Sequence, residues 1–305
     1  MIVAVLSARS GWHTEQLCRA LAERGHLGHV LPYEGLLARL GGTSRMASVD
    51  ADAVLARIIP NGSLEQIIYR VDTLHWLERR GIPVMNSPRA IERCVDKFYT
   101  TALLQEAGLR VPETVVCEGV TDAVAAVREM GDVVIKPLFG SMGLGMVRIT
   151  DPEVAFRVAR ALEQTRAVFY VQRTIDHGGR DIRAFVVGDR VVAAIERSVP
   201  SNDAARGSAA EWRTNISRGG TARSIQLPDD WADLARRAAA VVGADYAGVD
   251  LLPARDGSVY VLEVNGIPGW QGLQQATGVD VAAAIAAQLD ARVRAGTAVA
   301  AHGGI

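Results

Sequence analysis

Gly248-Val-Asp-Leu-Leu252, then Arg255-Asp-Gly257, then Val259-Tyr-Val-Leu-Glu-Val-Asn265 is the stretch on which the reading of this chain turns. Two apolar, β-branched runs flank an Asp-Gly turn, which predicts a β-hairpin. Alternate residues of a strand share a face, so Glu263 and Asn265 point the same way, and Asp250 on the partner strand converges with them. Two carboxylates and an amide oxygen make a set of hard oxygen donors suited to Mg²⁺ held together with substrate phosphates. Carboxylates set inside apolar strand sequences need a compensating charge if they are buried. The alternative is a polar strand edge with solvated charges.

Upstream, Ile135-Lys136-Pro137 ends an apolar run and leads into Gly140-Ser-Met-Gly-Leu-Gly145. A lysine at a strand end can reach phosphate oxygens as a point charge. The turn that follows can lay backbone N–H groups over a triphosphate, which makes Gly140, Ser141, Met142, Gly143 and Gly145 candidates for nucleotide binding. Because the lysine precedes the glycines and no G-K-[ST] is present, the pattern differs from a Walker loop. Lys97, in Cys94-Val-Asp-Lys97, is either a second phosphate contact or an exposed helix lysine. Between residues 197 and 223 stand Arg197, Arg206, Arg213, Arg218 and Arg223, against only Asp203 and Glu211. Guanidinium forks bind carboxylate and phosphate in two-pronged fashion. Arg206 and Arg223 read better as solvated loop residues. Arg183 shares a strand face with Asp181, either as a structural salt bridge or as part of an anion pocket.

The first segment alternates strand and helix. Expected are a strand at Ile2 to Leu6, a helix from Thr14 to Arg24, a strand from Ala53 to Ile59, a helix from Leu64 to Gly81 and a strand at Ile82 to Met85. That rhythm predicts a small, mostly parallel sheet. No G-x-G-x-x-G follows its first strand, so a dinucleotide site there has little support. Asn86-Ser-Pro88 breaks the pattern, and the expected divisions are 1–92, 93–172 and 173–305. The second unit opens with a helix from Cys94 to Ala107 and continues through a strand at Val111 to Val116, a helix from Thr121 to Met130, the strand Val133 to Pro137 and extended chain at Met146 to Ile149. The third has strands at Val168 to Gln172, Ile182 to Val187 and Val191 to Ile195, then a helix from Trp231 to Val242 before the hairpin.

The 305 residues carry a net charge of −1, so no basic field exists to attract nucleic acid. Cys18, Cys94 and Cys117 are an odd number without metal-site spacing, which fits reduced thiols. The apolar start lacks the basic region of a signal peptide, and no run reaches the ~20 apolar residues of a membrane span. The expectation is a cytoplasmic protein without a membrane or nucleic-acid partner.

Taken in order, Asp96-Lys97, Ile135-Lys-Pro137 with its glycine loop, Gly179-Arg-Asp-Ile-Arg183, Ala194-Ile-Glu-Arg197, Trp212-Arg-Thr-Asn215, Arg218-Gly-Gly220, Ala247-Gly-Val-Asp250 and Glu263-Val-Asn265 resemble the ATP-grasp superfamily. Within it, the chain looks like the RimK-type amino-acid ligases over about residues 86 to 290. The resemblance implies an α/β (α+β) fold in which a small parallel-sheet N-terminal domain precedes two ATP-grasp subdomains that hold ATP between them. It implies that Lys97 and Lys136 contact phosphates, that Asp250, Glu263 and Asn265 bind two Mg²⁺ ions (or Mn²⁺), and that Arg197, Arg213 and Asn215 stabilise the acyl-phosphate end, with Arg218 a further anion contact. Adenine would lie against the strand ending in Gln172. Arg173 stands where such relatives carry glutamate, which leaves Asp176 or Asp181 to compensate; Asp181 and Arg183 complete the expected nucleotide-side residues. The implied reaction joins an amino acid, expected to be glutamate, to an acceptor carboxylate on a cofactor tail, a peptide-like metabolite or a protein C-terminus, in a dimer or tetramer. Two other readings stand beside it: a non-catalytic ATP-binding module, and a phosphotransferase using the same metal site.

Overall fold

The computed structural model describes residues 1–40, 49–140, 143–199 and 220–302, with the side chains of 296–302 excepted. The chain begins β1 (Ile2–Leu6), α1 (Trp12–Glu23), β2 (Leu27–Leu31), β3 (Ala53–Ala56), α2 (Leu64–Arg79) and β4 (Val84–Met85). These strands form a parallel sheet in the order β2-β1-β3-β4. Period-two alternation fills both of its faces. Ala4, Leu6, Val54 and Ala56 pack with Leu74 and Leu77 of α2, whereas Val3, Val5, Ala53 and Leu55 pack with Leu17 and Leu21 of α1. Strand β2 is an addition to the expected elements, because Gly28 and His29 interrupt its apolar run.

The expected single helix from Cys94 to Ala107 is two helices, α3 (Pro88–Val95) and α4 (Lys97–Glu106). Asp96 ends the first and caps the second, its carboxylate accepting the Tyr99 N–H at 3.0 Å. Next come β5 (Thr114–Cys117), α5 (Val120–Met130), β6 (Val133–Pro137), β7 (Val147–Ile149), α6 (Pro152–Glu163) and β8 (Phe169–Arg173). They build an antiparallel sheet, β5-β8-β6-β7, covered on one face by Val124 and Val127 of α5 and Ala155 and Ala159 of α6. Helix α6 also lay outside the expected elements. Its start is nonetheless well signalled, with Pro152 in the first turn and Asp151 accepting the Glu153 N–H at 2.8 Å.

The last part contains β9 (Arg180–Val187), β10 (Arg190–Ser198), β11 (Thr221–Ser224), α7 (Asp229–Val242), β12 (Tyr246–Pro253), β13 (Val259–Asn265), α8 (Gln271–Thr277) and α9 (Val281–His302). Its antiparallel sheet runs β11-β10-β9-β12-β13. On one face Ile182, Ala184, Val186, Val249, Leu251 and Val264 meet the alanine stripe of α7, Ala235, Ala238 and Ala239. The other face is divided along its length. At one end Phe185, Ile195 and Tyr246 join the core of the first sheet and Ile285 and Leu289 of α9. At the other end the same alternation brings out charged residues.

Candidate active site

The charged end of the last sheet is set by strand register. Arg197 of β10 stands opposite Asp181 of β9, Arg183 of β9 opposite Asp250 of β12, and Asp250 opposite Glu263 of β13. Opposed residues of an antiparallel pair share a face, so two adjacent rows, Arg197–Asp181 and Arg183–Asp250–Glu263, spread charge over one face of four strands. Asn265 is opposite Gly248, and a Cβ at Gly248 would stand 3.0 Å from Pro268 Cβ and 3.1 Å from Arg183 Cδ, so the arginine stem crosses closely over a bare backbone. Register shifts between Asp250 and Leu251, making Leu262 the extra residue of a β-bulge beside the carboxylates.

Arg197 grips Asp181 with both prongs, Nε to Oδ1 at 2.7 Å and Nη2 to Oδ2 at 2.6 Å, and its Nη2 lies 3.0 Å from Asp250 Oδ2. Arg183 grips Asp250 in the same way, Nε to Oδ1 and Nη2 to Oδ2, the latter at 2.7 Å. Burial alone would raise the Asp250 carboxyl, but Arg183 and Arg197 outweigh it and hold Asp250 below the usual range. Glu263 moves the opposite way, raised first by burial and then by the facing Asp250, with Lys97, Arg183 and Lys136 opposing.

Across the cleft, β6 carries Lys136 next to its last residue, and the buried Nζ donates to Gln172 Oε1 at 2.5 Å. The Gln172 amide donates in turn to Thr114 Oγ1 and Tyr170 Oη, each at 3.0 Å. The Tyr170 hydroxyl also meets Thr101 Oγ1 at 2.8 Å. Desolvation pushes the Lys136 ammonium down to about 8, against the attraction of Glu263 and Asp250. Lys97, the first residue of α4, donates to the carbonyls of Leu138 (3.2 Å) and Gly140 (2.9 Å), and burial lowers it too. The lysine is therefore tied to the start of the glycine loop.

One cleft gathers most of the residues singled out in the sequence. Its wall includes Lys97, Lys136, Gly140, Gly143, Gln172, Arg173, Asp181, Arg183, Arg197, Asp250, Glu263 and Asn265, with Gly145 just off it. Arg173 reaches the wall, but its guanidinium is committed to Glu113 Oε2 (2.7 Å) and the Met130 carbonyl (2.8 Å). Asp176 pairs with Arg255 at 3.1 Å, at the exposed rim. Ser141, Met142, Arg213, Asn215 and Arg218 lie outside the described residues. Sequence reading passed over Tyr170, Thr101 and Thr114; the alternation Tyr170-Val-Gln172 on one strand face was the signal for the first.

The wall carries five cations, Lys97, Lys136, Arg173, Arg183 and Arg197, against three carboxylates, Asp181, Asp250 and Glu263, and Arg173 is already paired with Glu113. Such a surface attracts a polyanion while keeping acidic oxygens to share a cation with it. Among the described residues no three His, Cys, Asp or Glu side chains form a cluster fit for a metal, so a cation here would need the amide of Asn265 or a ligand's own oxygens.

Lys97, Lys136 and the glycines at 140 and 143 thus share one cleft with the carboxylate-bearing strand pair. The RimK-like ATP-grasp domain model matches residues 94–289, and the chain belongs to this family of ligases. It is 36% identical over 260 residues, 76% of this chain and 78% of the relative, to a tetrahydromethanopterin:alpha-L-glutamate ligase of Methanosarcina acetivorans. It is 35% identical over 297 residues, 93% and 94% of the two chains, to a probable alpha-L-glutamate ligase of Trichodesmium erythraeum. In fold it matches the ATP-grasp ligase PsnB complexed with a phosphomimetic variant of its minimal precursor, Mg and ADP, with TM-score 0.73, 22% identity and 95% and 98% coverage. A RimK domain ATP-grasp protein from Sphaerobacter thermophilus gives TM-score 0.71 at 24% identity, covering 94% and 99%. The α+β architecture expected from the sequence is thus the fold of this chain. Among the described residues, no helix is long and apolar enough to cross a membrane.

Proposed function

We propose that the protein uses ATP and Mg²⁺ to join L-glutamate, through its amine, to a carboxylate on a small-molecule or peptide acceptor. The observation that carries this reading is the placement of Lys97 and Lys136 across one cleft from Asp250, Glu263 and Asn265. Glutamate itself is taken from relatives named as alpha-L-glutamate ligases.

In the proposed reaction an acceptor carboxylate oxygen attacks the γ-phosphorus of ATP, and the bond to the β-phosphate oxygen breaks to leave ADP. Lys136 and Lys97 neutralise charge on the phosphate oxygens as it is transferred. The amine of glutamate then attacks the acyl carbon, phosphate departs with the oxygen that linked it, and the ammonium proton passes to solvent. Bound Mg²⁺ supplies Lewis-acid stabilisation of the phosphoryl oxygens. Glu263 and Asn265 would fit such an ion: Glu263 is raised by burial and then by its neighbour Asp250, and a cation held there would offset both. Asn265 turns its amine end to the Gly248 carbonyl at 3.3 Å, which leaves its oxygen end for the metal. Asp250, already bonded by two arginines, would be the inner anchor, and a two-ion site would draw on its remaining lone pairs. Arg197 holds the acyl-phosphate end, together with Arg213, Asn215 and Arg218. On a division into 1–92, 93–172 and 173–305, the nucleotide would lie between the second and third parts.

Incubation with ATP, Mg²⁺, glutamate and a metabolite extract, read by mass, tests this. A single compound gaining one glutamyl residue, with ADP and phosphate released, supports it. Nucleotide binding without turnover across a broad acceptor panel sinks it.

A further inference from the structure

The turn Gly266-Ile-Pro-Gly-Trp270, which leaves Asn265 and enters α8, is held by three elements of the first sheet unit. Asn86, fully buried after β4, donates to the Gly266 carbonyl at 2.5 Å and the Tyr246 carbonyl at 2.8 Å. Its oxygen accepts the N–H groups of Asp245 (2.7 Å) and Tyr246 (3.1 Å). Arg57, next after β3, donates to the Pro268 carbonyl at 3.1 Å and lies 4.7 Å from the Trp270 ring centre. His13, in the first turn of α1, accepts the Trp270 N–H through Nε2 at 3.1 Å. Gly266 is packed so closely that a Cβ would stand 3.0 Å from Cys94 Sγ.

Arg57 is the unusual member. It is 2% exposed, and among the described residues no carboxylate lies within ion-pair range of it. Among the described residues its side chain meets, besides the Pro268 carbonyl and the indole face, the Tyr246 hydroxyl at 3.4 Å. A buried cation without a counter-charge costs more than an apolar residue of the same size, so packing alone is a poor account of it. What it contacts is the backbone that fixes the end of β13.

We propose that Arg57 and His13 are positioning residues: by holding Pro268 and Trp270 they fix the backbone running from Asn265, and so set the oxygen donors at the metal end of the cleft. This rests on the reading that Glu263 and Asn265 bind Mg²⁺. The test compares Arg57→Met, Arg57→Lys, His13→Leu and His13→Gln in the full chain, with folding followed by thermal melting. Mn²⁺ binding in the presence of ADP is measured by paramagnetic resonance, and kcat and KM for ATP by ADP release. Folded Arg57→Met and His13→Leu should bind Mn²⁺ at least fivefold more weakly and lose at least tenfold in kcat, with KM for ATP within threefold. His13→Gln, whose amide oxygen can accept the Trp270 N–H, should recover to within threefold of wild type, and Arg57→Lys part of the way.

Wild-type Mn²⁺ binding in the folded leucine and methionine variants overturns the proposal. Equal loss in His13→Gln and His13→Leu does so as well, since it marks packing alone. Should Arg57→Met fail to fold, the His13 pair decides. A wild-type protein that binds Mn²⁺ and ADP but forms no amide contradicts the ligase reading and leaves the positioning measurable.

Discussion

Asp250 and Glu263 face each other across β12 and β13, yet their surroundings separate their roles. Arg183 and Arg197 hold Asp250 ionised, whereas Glu263 is raised by burial and by Asp250 itself. Glu263→Gln should therefore cut turnover at least a hundredfold while thermal stability stays level or rises, because a buried repulsion is removed. Asp250→Asn should also abolish turnover but cost about 3 kcal/mol in denaturant unfolding, as two buried guanidiniums lose their counter-charge. Equal stability losses in the two variants would contradict this division. Lys136, at about 8, gives a pH dependence with a definite sign. The ammonium attracts phosphate only while protonated, so kcat/KM for ATP should be highest below pH 8 and fall above it. Bound phosphate favours the charged form, so the fall belongs in kcat/KM rather than in kcat. An unchanged profile in Lys136→Met would exclude this lysine as its source.

At the level of elements, the hairpin was legible because its pattern is local. Strand β13 spans Val259–Asn265, the bounds expected from the sequence, around the anticipated turn. Which charges face Asp250 was not legible, because Arg183 is 67 residues away and reaches it only through the pairing of β9 with β12. Sequence alone left Arg183 and Asp181 either as a salt bridge with each other or as part of an anion pocket, whereas each is matched to a different strand, Asp181 to Arg197 and Arg183 to Asp250. The helix break at Asp96 was hidden for a related reason. The residue reads as a helical surface charge until its carboxylate is seen capping α4, which fixes Lys97 at that helix's first turn. Gly248 gives the sharpest test at this scale. Gly248→Ala should cost about 1–3 kcal/mol by overpacking against Pro268 and Arg183 and should lower kcat through Arg183. Denaturant titration within 0.5 kcal/mol of wild type would show that the crossing has room to spare.

Across the whole molecule, the first sheet is joined to the last through Phe185, Tyr246 and Trp270 and through the polar contacts of His13, Arg57 and Asn86. The polar contacts link residues 159 to 257 apart in sequence, and no short-range pattern announces them. His13 makes the joint sensitive to acid. Burial, and secondarily Arg57, lowers it from 6.5 to about 4, so between those values the unfolded chain binds more protons than the folded one. Stability from this group is complete above pH 6.5 and lost as pH falls toward 4. The loss is at most about 3 kcal/mol, and less because water partly screens the ring. Unfolding free energies of wild type and His13→Gln should therefore converge or cross on acidification, and parallel curves would count against it. The central claim, activation of a carboxylate by phosphoryl transfer, is tested most directly with an acceptor whose carboxylate carries oxygen-18. One labelled oxygen should appear in the phosphate for each amide formed, and amide formation with unlabelled phosphate would contradict the account.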